Sequence, residues 1–276
     1  MSSKKERLDL FLVNNGLFLS RERARRAIMA GDVTVDGVAM LKPGTIVSAD
    51  SCINVKEDSI PYVSRGGLKL EKALQYFNIE PYGKVAMDVG ASTGGFTDCL
   101  LKNGASRVYA IDVGYGQLAW GLRQDPRVIV MERQNIRYIE KSDIGELVDL
   151  VTIDTSFISI CKFLDKVISI LKEEGEIAAL IKPQFEAGRD EVGKGGVVRE
   201  AKTHIKVLDN IVRFVQEMDL AVGGLTYSPI TGPKGNIEFL IYLLKCKRAP
   251  FDPWDIEKIT RVVEDAHTEH SLYSKR

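Results

Sequence analysis

The sequence is short of histidine (three), cysteine (four) and tryptophan (two), and it has no excess charge of either sign, 38 Lys+Arg standing against 38 Asp+Glu. Each shortage narrows the field. Three histidines leave little from which to build a metal centre. His267 and His270 with Glu264 are the one grouping that mimics such a site, close to the end of the chain, and no metal is expected. Cys52, Cys99, Cys161 and Cys246 lie far apart with no C-x-x-C pair, the pattern of reduced structural thiols in a cytoplasmic protein. A balanced net charge carries no global signal of a nucleic-acid partner, so any such signal must be local. The longest apolar run, Phe239 to Leu244, falls far short of the roughly 20 residues a spanning helix needs. Met1-Ser-Ser-Lys-Lys leads directly into a charged amphipathic stretch, with no apolar signal region behind it. The expectation is a protein without stable membrane association. What is present is ordinary: 276 residues, 45% hydrophobic and 28% charged, enough for a medium domain plus a small one.

Charge is unevenly placed. Residues 1–30 carry seven basic residues against three acidic ones. Leu8, Phe11 and Leu12 have helical spacing, closed by Gly16. A second helix is expected from the N-cap Ser20 to Gly31, with Ala24, Ala27 and Ile28 as its apolar stripe. Arg21, Arg23, Arg25 and Arg26 fall outside that stripe. Val33-Thr-Val35, an Asp36-Gly37 turn and Val38 read as a hairpin, with further strands at 45–47 and 52–55. This gives a small α+β unit over residues 1–58, then a linker over 59–66, then a large unit over 67–276.

In the large unit strand and helix alternate, which predicts an α/β fold with a mostly parallel sheet. Strands are expected at 84–89, 107–111, 128–131, 148–153 and 176–181, and helices at 95–102, 159–172 and 201–218. Two last strands, 221–227 and 237–245, are joined by a Pro- and Gly-rich loop and should pair antiparallel. A parallel sheet ending in one reversed strand distinguishes the S-adenosylmethionine (SAM) methyltransferase fold from a plain dinucleotide-binding fold. The tail from 251 reads as helical and then frayed.

Asp88-Val-Gly90-Ala-Ser92-Thr-Gly94-Gly95-Phe96 follows the first strand and opens the first helix. Glycines there admit a ligand to the backbone, and a helix N-terminus favours a carboxylate or phosphate. Asp112 lies 22 residues after Gly90, where such folds place an acid on a ribose diol. Asp154 and Lys182 end later strands, and Glu238 begins the reversed one, so all three belong to one sheet edge. Lys69 precedes the sheet, and spacing does not place it. Clustered charges of this kind shift one another's pKa values, a mark of functional sites.

Lys69, Asp154, Lys182 and Glu238 resemble the K-D-K-E tetrad of FtsJ-like ribose 2′-O-methyltransferases. Residues 5–56, with Arg7-Leu-Asp, Ser20-Arg21, Gly31-Asp-Val33-x-Val35-x-Gly37 and Lys42-Pro43, look like an S4 RNA-binding domain. Together with Ser64-Arg65-Gly66-Gly67-x-Lys69-Leu70 and Asp154-x-Ser156-Phe157-Ile158-Ser159, the chain resembles the TlyA family, also labelled haemolysin A, over almost its whole length. One departure is Gly67-Leu68, where a bulkier residue, often Trp, is expected before the tetrad lysine.

The resemblance implies SAM-dependent 2′-O-methylation of a cytidine ribose in 16S and/or 23S rRNA, with rRNA or ribosomal subunits as partners; no pattern assigns an oligomeric state. It implies Lys69, Asp154, Lys182 and Glu238 as catalytic residues. SAM would be held by Asp88, Gly90, Ser92, Gly94, Gly95, Phe96, Asp112, Asn135 and Asp154. RNA would be gripped by Arg7, Arg21, Arg23, Arg25, Arg26, Lys42 and Arg65. A ribose hydroxyl needs a general base, and Lys182, its pKa lowered by burial and by Lys69, is the candidate. Lys69 would stabilise alkoxide charge while the acids orient. Base methylation would require an Asn/Asp-Pro-Pro-aromatic run or a loop cysteine; the chain has Asp-Thr-Ser-Phe, and Cys161 falls in an expected helix. Two rival readings are direct membrane damage, which needs a pore-forming span or a strongly apolar amphipathic helix, and an inactive RNA-binding protein, which the intact tetrad opposes. The segment 185–197, rich in glycine and charge, is expected to be a mobile lid.

Overall fold

Hydrophobic spacing in the first 55 residues produces a small core. In this computed structural model, residues 5–15, 17–18, 21–56, 61–218, 220–232, 234–246 and 253–274 are described. The expected N-cap Ser20, the helix end Gly16, the end of the small unit at 57–58 and linker residues 59–60 lie outside them. Strand β1 (Lys5–Arg7) leads into helix α1 (Leu8–Asn14), then α2 (Arg21–Met29), β2 (Val33–Val35), β3 (Val38–Met40), β4 (Ile46–Ser48) and β5 (Ile53–Val55). β2 pairs with both β3 and β5, and β1 pairs with β4, all antiparallel. The β2–β3 turn has φ of 51° at Asp36 and 83° at Gly37, the conformation that a two-residue hairpin demands. Leu8, Leu12, Ala24, Ile28 and Val33 are fully buried, so the expected stripes of both helices face one core.

The large unit comprises α3 (Gly66–Phe77), β6 (Val85–Val89), α4 (Gly95–Lys102), β7 (Arg107–Asp112), α5 (Trp120–Gln124), β8 (Val128–Glu132), α6 (Lys141–Ile144), β9 (Val148–Ile153), α7 (Leu164–Ile170), β10 (Leu171–Ile181), α8 (Pro183–Glu186), α9 (Ala201–Gln216), β11 (Leu220–Tyr227), β12 (Phe239–Lys245) and α10 (Ile256–Ser274). Seven strands lie in the order β11-β12-β10-β9-β6-β7-β8. Only β12 runs against its neighbours, which is the reversed strand expected. Period-two alternation feeds both faces: Met87, Val89, Tyr109 and Ile111 join one core and Ala86, Val108 and Ala110 the other.

Two expectations need correction. The helix expected at 159–172 is a short 3-10 turn at Ile160–Lys162 followed by α7, which ends at Ile170. Leu171 already pairs with Val148, and an irregularity before Glu176 lets β10 begin early; non-local pairing overrides local helix preference there. The expected linker 59–66 is docked from Tyr62 onward. Tyr62 is buried in the large core, Val63 N donates to Asp98 Oδ2 at 2.8 Å, and Gly66 already starts α3. The expected helical tail is α10, with Ile259, Val263 and Ala266 fully buried against α9 and β11; the end expected to fray, 275–276, lies outside the described residues. α3, the carrier of Lys69, was not expected at all.

Candidate active site

At the carboxyl edge of the sheet the turns after β6, β9 and β10, the start of β12 and one face of α3 surround a cleft of about 970 Å³. Lys69, Asp154, Lys182 and Glu238 all line it. Lys69 comes from the first turns of α3, while Glu238 reaches the same edge because β12 is reversed. Lys69 Nζ lies 2.5 Å from Glu238 Oε2, with side chains 9% and 1% exposed. Burial disfavours the Lys69 ammonium, but Glu238, then Asp154, outweigh it and its pKa is raised. Lys182 Nζ lies 2.6 Å from Asp154 Oδ1. That contact is ionic and lacks hydrogen-bond alignment; the directed bond of Lys182 goes to Ser156 Oγ at 3.0 Å. The tetrad therefore forms two lysine–carboxylate pairs, so each ammonium meets a carboxylate and not primarily the other lysine.

The glycine loop follows a packing logic beside that of the expected ligand cradle at three positions. Gly90, Ser92, Gly95 and Phe96 line the cleft. Gly90 has φ +88°, and a Cβ there would stand 2.6 Å from the Asp154 carbonyl oxygen, so only glycine lets the loop touch the end of β9. Gly94 is absent from the cleft lining. A Cβ on it would meet Leu122 Cδ1 of α5 and Leu118 Cδ1 just before it, so this glycine seats α5 and its preceding turn against the loop. A Cβ on Gly95 would meet Ser64 Oγ at 2.3 Å, because the docked segment 61–66 crosses it. The departure at Gly67 has the same origin: the Tyr62 side chain fills its side-chain space, at 2.3 Å from an added Cβ.

Asp88, expected on the cofactor, is fully buried and accepts from Thr97 Oγ1 (2.7 Å) and Thr152 Oγ1 (3.2 Å). Burial pushes its pKa up to about 7. It ties β6 to α4 and β9 from beneath the loop and does not line the cleft. Asp112 ends β7 as expected and fixes the loop, accepting from Ser92 N at 2.8 Å and Gly114 N at 2.6 Å. Asn135 stands beside it, where Gln134 N reaches Asp112 O at 3.0 Å, and its own Oδ1 accepts from Arg137 N at 3.1 Å.

The expected RNA-binding set divides. Arg7 and Arg21 both donate to the buried carboxylate of Asp9, at 2.8–3.0 Å. Arg23 Nη1 reaches both oxygens of Glu71 on α3 at 3.2 Å. These three each pair with an acid, although Arg7 and Arg21 share one carboxylate and keep about half of their side chains exposed. Arg25, Arg26, Lys42 and Arg65 are exposed, and Arg65 lines the cleft.

The lid expected at 185–197 is anchored. Val198 N donates to Asn236 Oδ1 and Asn236 Nδ2 to Gly196 O, both at 2.9 Å. Glu186 Oε1 accepts from Ile160 N at 2.9 Å, and Val197 and Val198 are buried. The paired branches of Asn236, distant in sequence, supply what local apolar content lacks. His267 Nε2 sits 2.8 Å from His204 Nδ1, and His270 Nε2 sits 3.2 Å from Ser228 O, so these histidines pack α10. Among the described residues no cluster of three or more His, Cys, Asp or Glu is placed to hold a metal.

Sequence reasoning missed an aromatic pair at the cleft. Phe157 is 89% exposed with φ +65°, and its ring lies 4.8 Å from that of Phe185. Both line the cleft, as does Gln184 between Lys182 and Phe185. Their identities are visible in the sequence; an aromatic held out of the core is a tertiary fact.

A parallel sheet with one reversed strand, a glycine loop after the first strand and an acid ending the second define a SAM-dependent methyltransferase. The family model for FtsJ-like methyltransferases matches residues 62–245 and the S4 domain model residues 6–51. The chain belongs to the FtsJ-like methyltransferase family, in the TlyA group that carries an S4 domain. YqxC of Bacillus subtilis is 49% identical over 97% of this chain and 96% of its own. The 16S/23S rRNA (cytidine-2′-O)-methyltransferase TlyA of Mycobacterium tuberculosis is 44% identical over 87% of this chain and 90% of its own. A solved structure from Streptococcus thermophilus, named as a hemolysin, is 45% identical with TM-score 0.77 and covers 100% of both chains. Among the described residues no helix is long and apolar enough to cross a membrane.

Proposed function

We propose that the protein methylates the ribose 2′-hydroxyl of a cytidine in rRNA, in the cytoplasm, with free rRNA or ribosomal subunits as substrate. The observation that carries this reading is the convergence of two lysine–carboxylate pairs on one cleft beside the glycine loop. The residues present fit SAM. The α4 N-terminus at Gly95 forms one wall and favours its carboxylate, Gly90, Ser92 and Phe96 continue that wall, and Asp112 with Asn135 follows at the ribose end. Bound there, SAM supplies an electrophilic methyl on a sulfonium.

The protein's own groups do the rest. Lys182, once its ammonium has lost a proton to solvent, takes the hydroxyl proton at Nζ as a neutral amine; Asp154 and Ser156 hold that nitrogen in place. Lys69, kept cationic by Glu238, stands where negative charge develops on oxygen. Phe157 and Phe185 offer a face on which a base drawn from its stack can lie. Arg25, Arg26, Lys42 and Arg65 meet phosphates, and the S4 unit positions the RNA. The test is to treat rRNA and both subunits with pure protein and labelled SAM, then map the product. Label on a cytidine 2′-oxygen is the expected result; label on a base, or none while SAM binds, overturns the reading.

A further inference from the structure

Gln184 Oε1 is buried and has no hydrogen-bond partner. Buried acceptors are nearly always paired, so an orphan in a cleft points to a missing ligand donor. Its position is fixed. Gln184 lies in α8, where Phe185 N donates to Lys182 O at 2.8 Å and Ala187 N to Pro183 O at 2.9 Å. Glu186 pins the same turn to Ile160. On one side of Gln184 in the chain is Lys182, at the reacting hydroxyl; on the other is Phe185, paired with Phe157. A nucleotide whose ribose faces Lys182 and whose base lies on the Phe157–Phe185 pair would have Gln184 beside it, since all four residues line the same cleft.

We propose that Gln184 is the specificity-determining residue for the target base, its Oε1 accepting a hydrogen bond from the exocyclic 4-amino group of cytosine. The inference rests on the ribose-methylation reading and extends it to base recognition. The primary amide has a second half, and Nε2 can donate to N3 of the same ring, matching the bidentate amide–base pairings found in nucleic-acid recognition. A site built around such a bond discriminates against an analogue lacking the donor, because its buried acceptor is left unpaired.

The test uses the full chain and rRNA carrying, at the mapped position, either cytidine or the 2-pyrimidinone ribonucleoside that lacks the 4-amino group. Wild-type protein should lose about tenfold or more in kcat/KM on the analogue. Gln184→Leu should be slower on cytidine and should treat the two nucleotides alike, whereas Gln184→Glu, which keeps an acceptor, should retain the preference. A folding defect would depress both substrates and SAM binding equally without erasing the ratio. Equal wild-type rates on the two nucleotides, or an undiminished ratio in Gln184→Leu, overturns the proposal. Absence of ribose methylation by wild-type protein on cytidine instead overturns the reading beneath it.

Discussion

Each unit of the molecule hides one fully buried aspartate, and the two have opposite fates. In the small unit, burial raises the pKa of Asp9, but hydrogen bonds from Arg7 and Arg21 outweigh it and hold it at about 2. In the large unit, Asp88 meets the hydroxyls of Thr97 and Thr152, the Thr97 backbone N–H and a nearby Asp154 but no arginine or lysine partner, so burial wins and its pKa rises to about 7. Burial alone does not decide the charge state of an acid; the cations within reach do. The small unit uses arginines to secure its own core. The large unit sets Lys69, buried, and Lys182, largely covered, at the cleft.

The largest expected effect tests that division. Lys182→Ala should lower methyl transfer by about 10³-fold while SAM binding, measured by calorimetry, stays intact. Turnover near the wild-type value would remove Lys182 from the chemistry. Next comes pH. A folded pKa above the ordinary 3.8 makes Asp88 favour folding at low pH, and that contribution is lost as pH rises through about 7. Denaturant melts of the large unit should therefore weaken from pH 5 to 8, by at most about 3 kcal/mol, and Asp88→Asn should flatten the slope.

Asp9 should behave in reverse. Its contribution is present above pH 4 and disappears as pH falls through about 2. Asp9→Ala at neutral pH should destabilise the small unit by about 2 kcal/mol, read by hydrogen exchange over residues 5–55. Equal loss of protection across residues 66–245 would show that the two cores unfold as one. The smallest effect concerns RNA. Arg25→Ala with Arg26→Ala should reduce the salt slope of rRNA binding by about 0.7 for each phosphate no longer neutralised. An unchanged slope would return both residues to ordinary solvated surface.

Much of this architecture is legible in the residues. Apolar alternation marks the strands, turn chemistry at Asp36-Gly37 marks the hairpin, and a connection too short and too rich in Pro and Gly for a helix marks the reversed β12. Strand-end positions of Asp154 and Lys182, and the start of β12 at Glu238, place three charges at one edge because parallel topology fixes where strand ends lie.

The sequence by itself determined the sheet, its one reversed strand and which residue types meet at its carboxyl edge, since these follow from local periodicity and chain direction. Only the tertiary structure decided what each group there does. It brought Lys69 to Glu238 across 169 positions of chain, buried Asp88 beneath the loop, turned Gly94 into a packing site for Leu122, and drew Arg7, Arg21 and Arg23 onto acids. It also anchored the expected lid through Asn236 and left Phe157 exposed and Gln184 Oε1 without a partner. Periodicity specifies which face a residue occupies; partners and pKa values depend on atoms within a few ångströms that come from distant segments, and no local pattern encodes them.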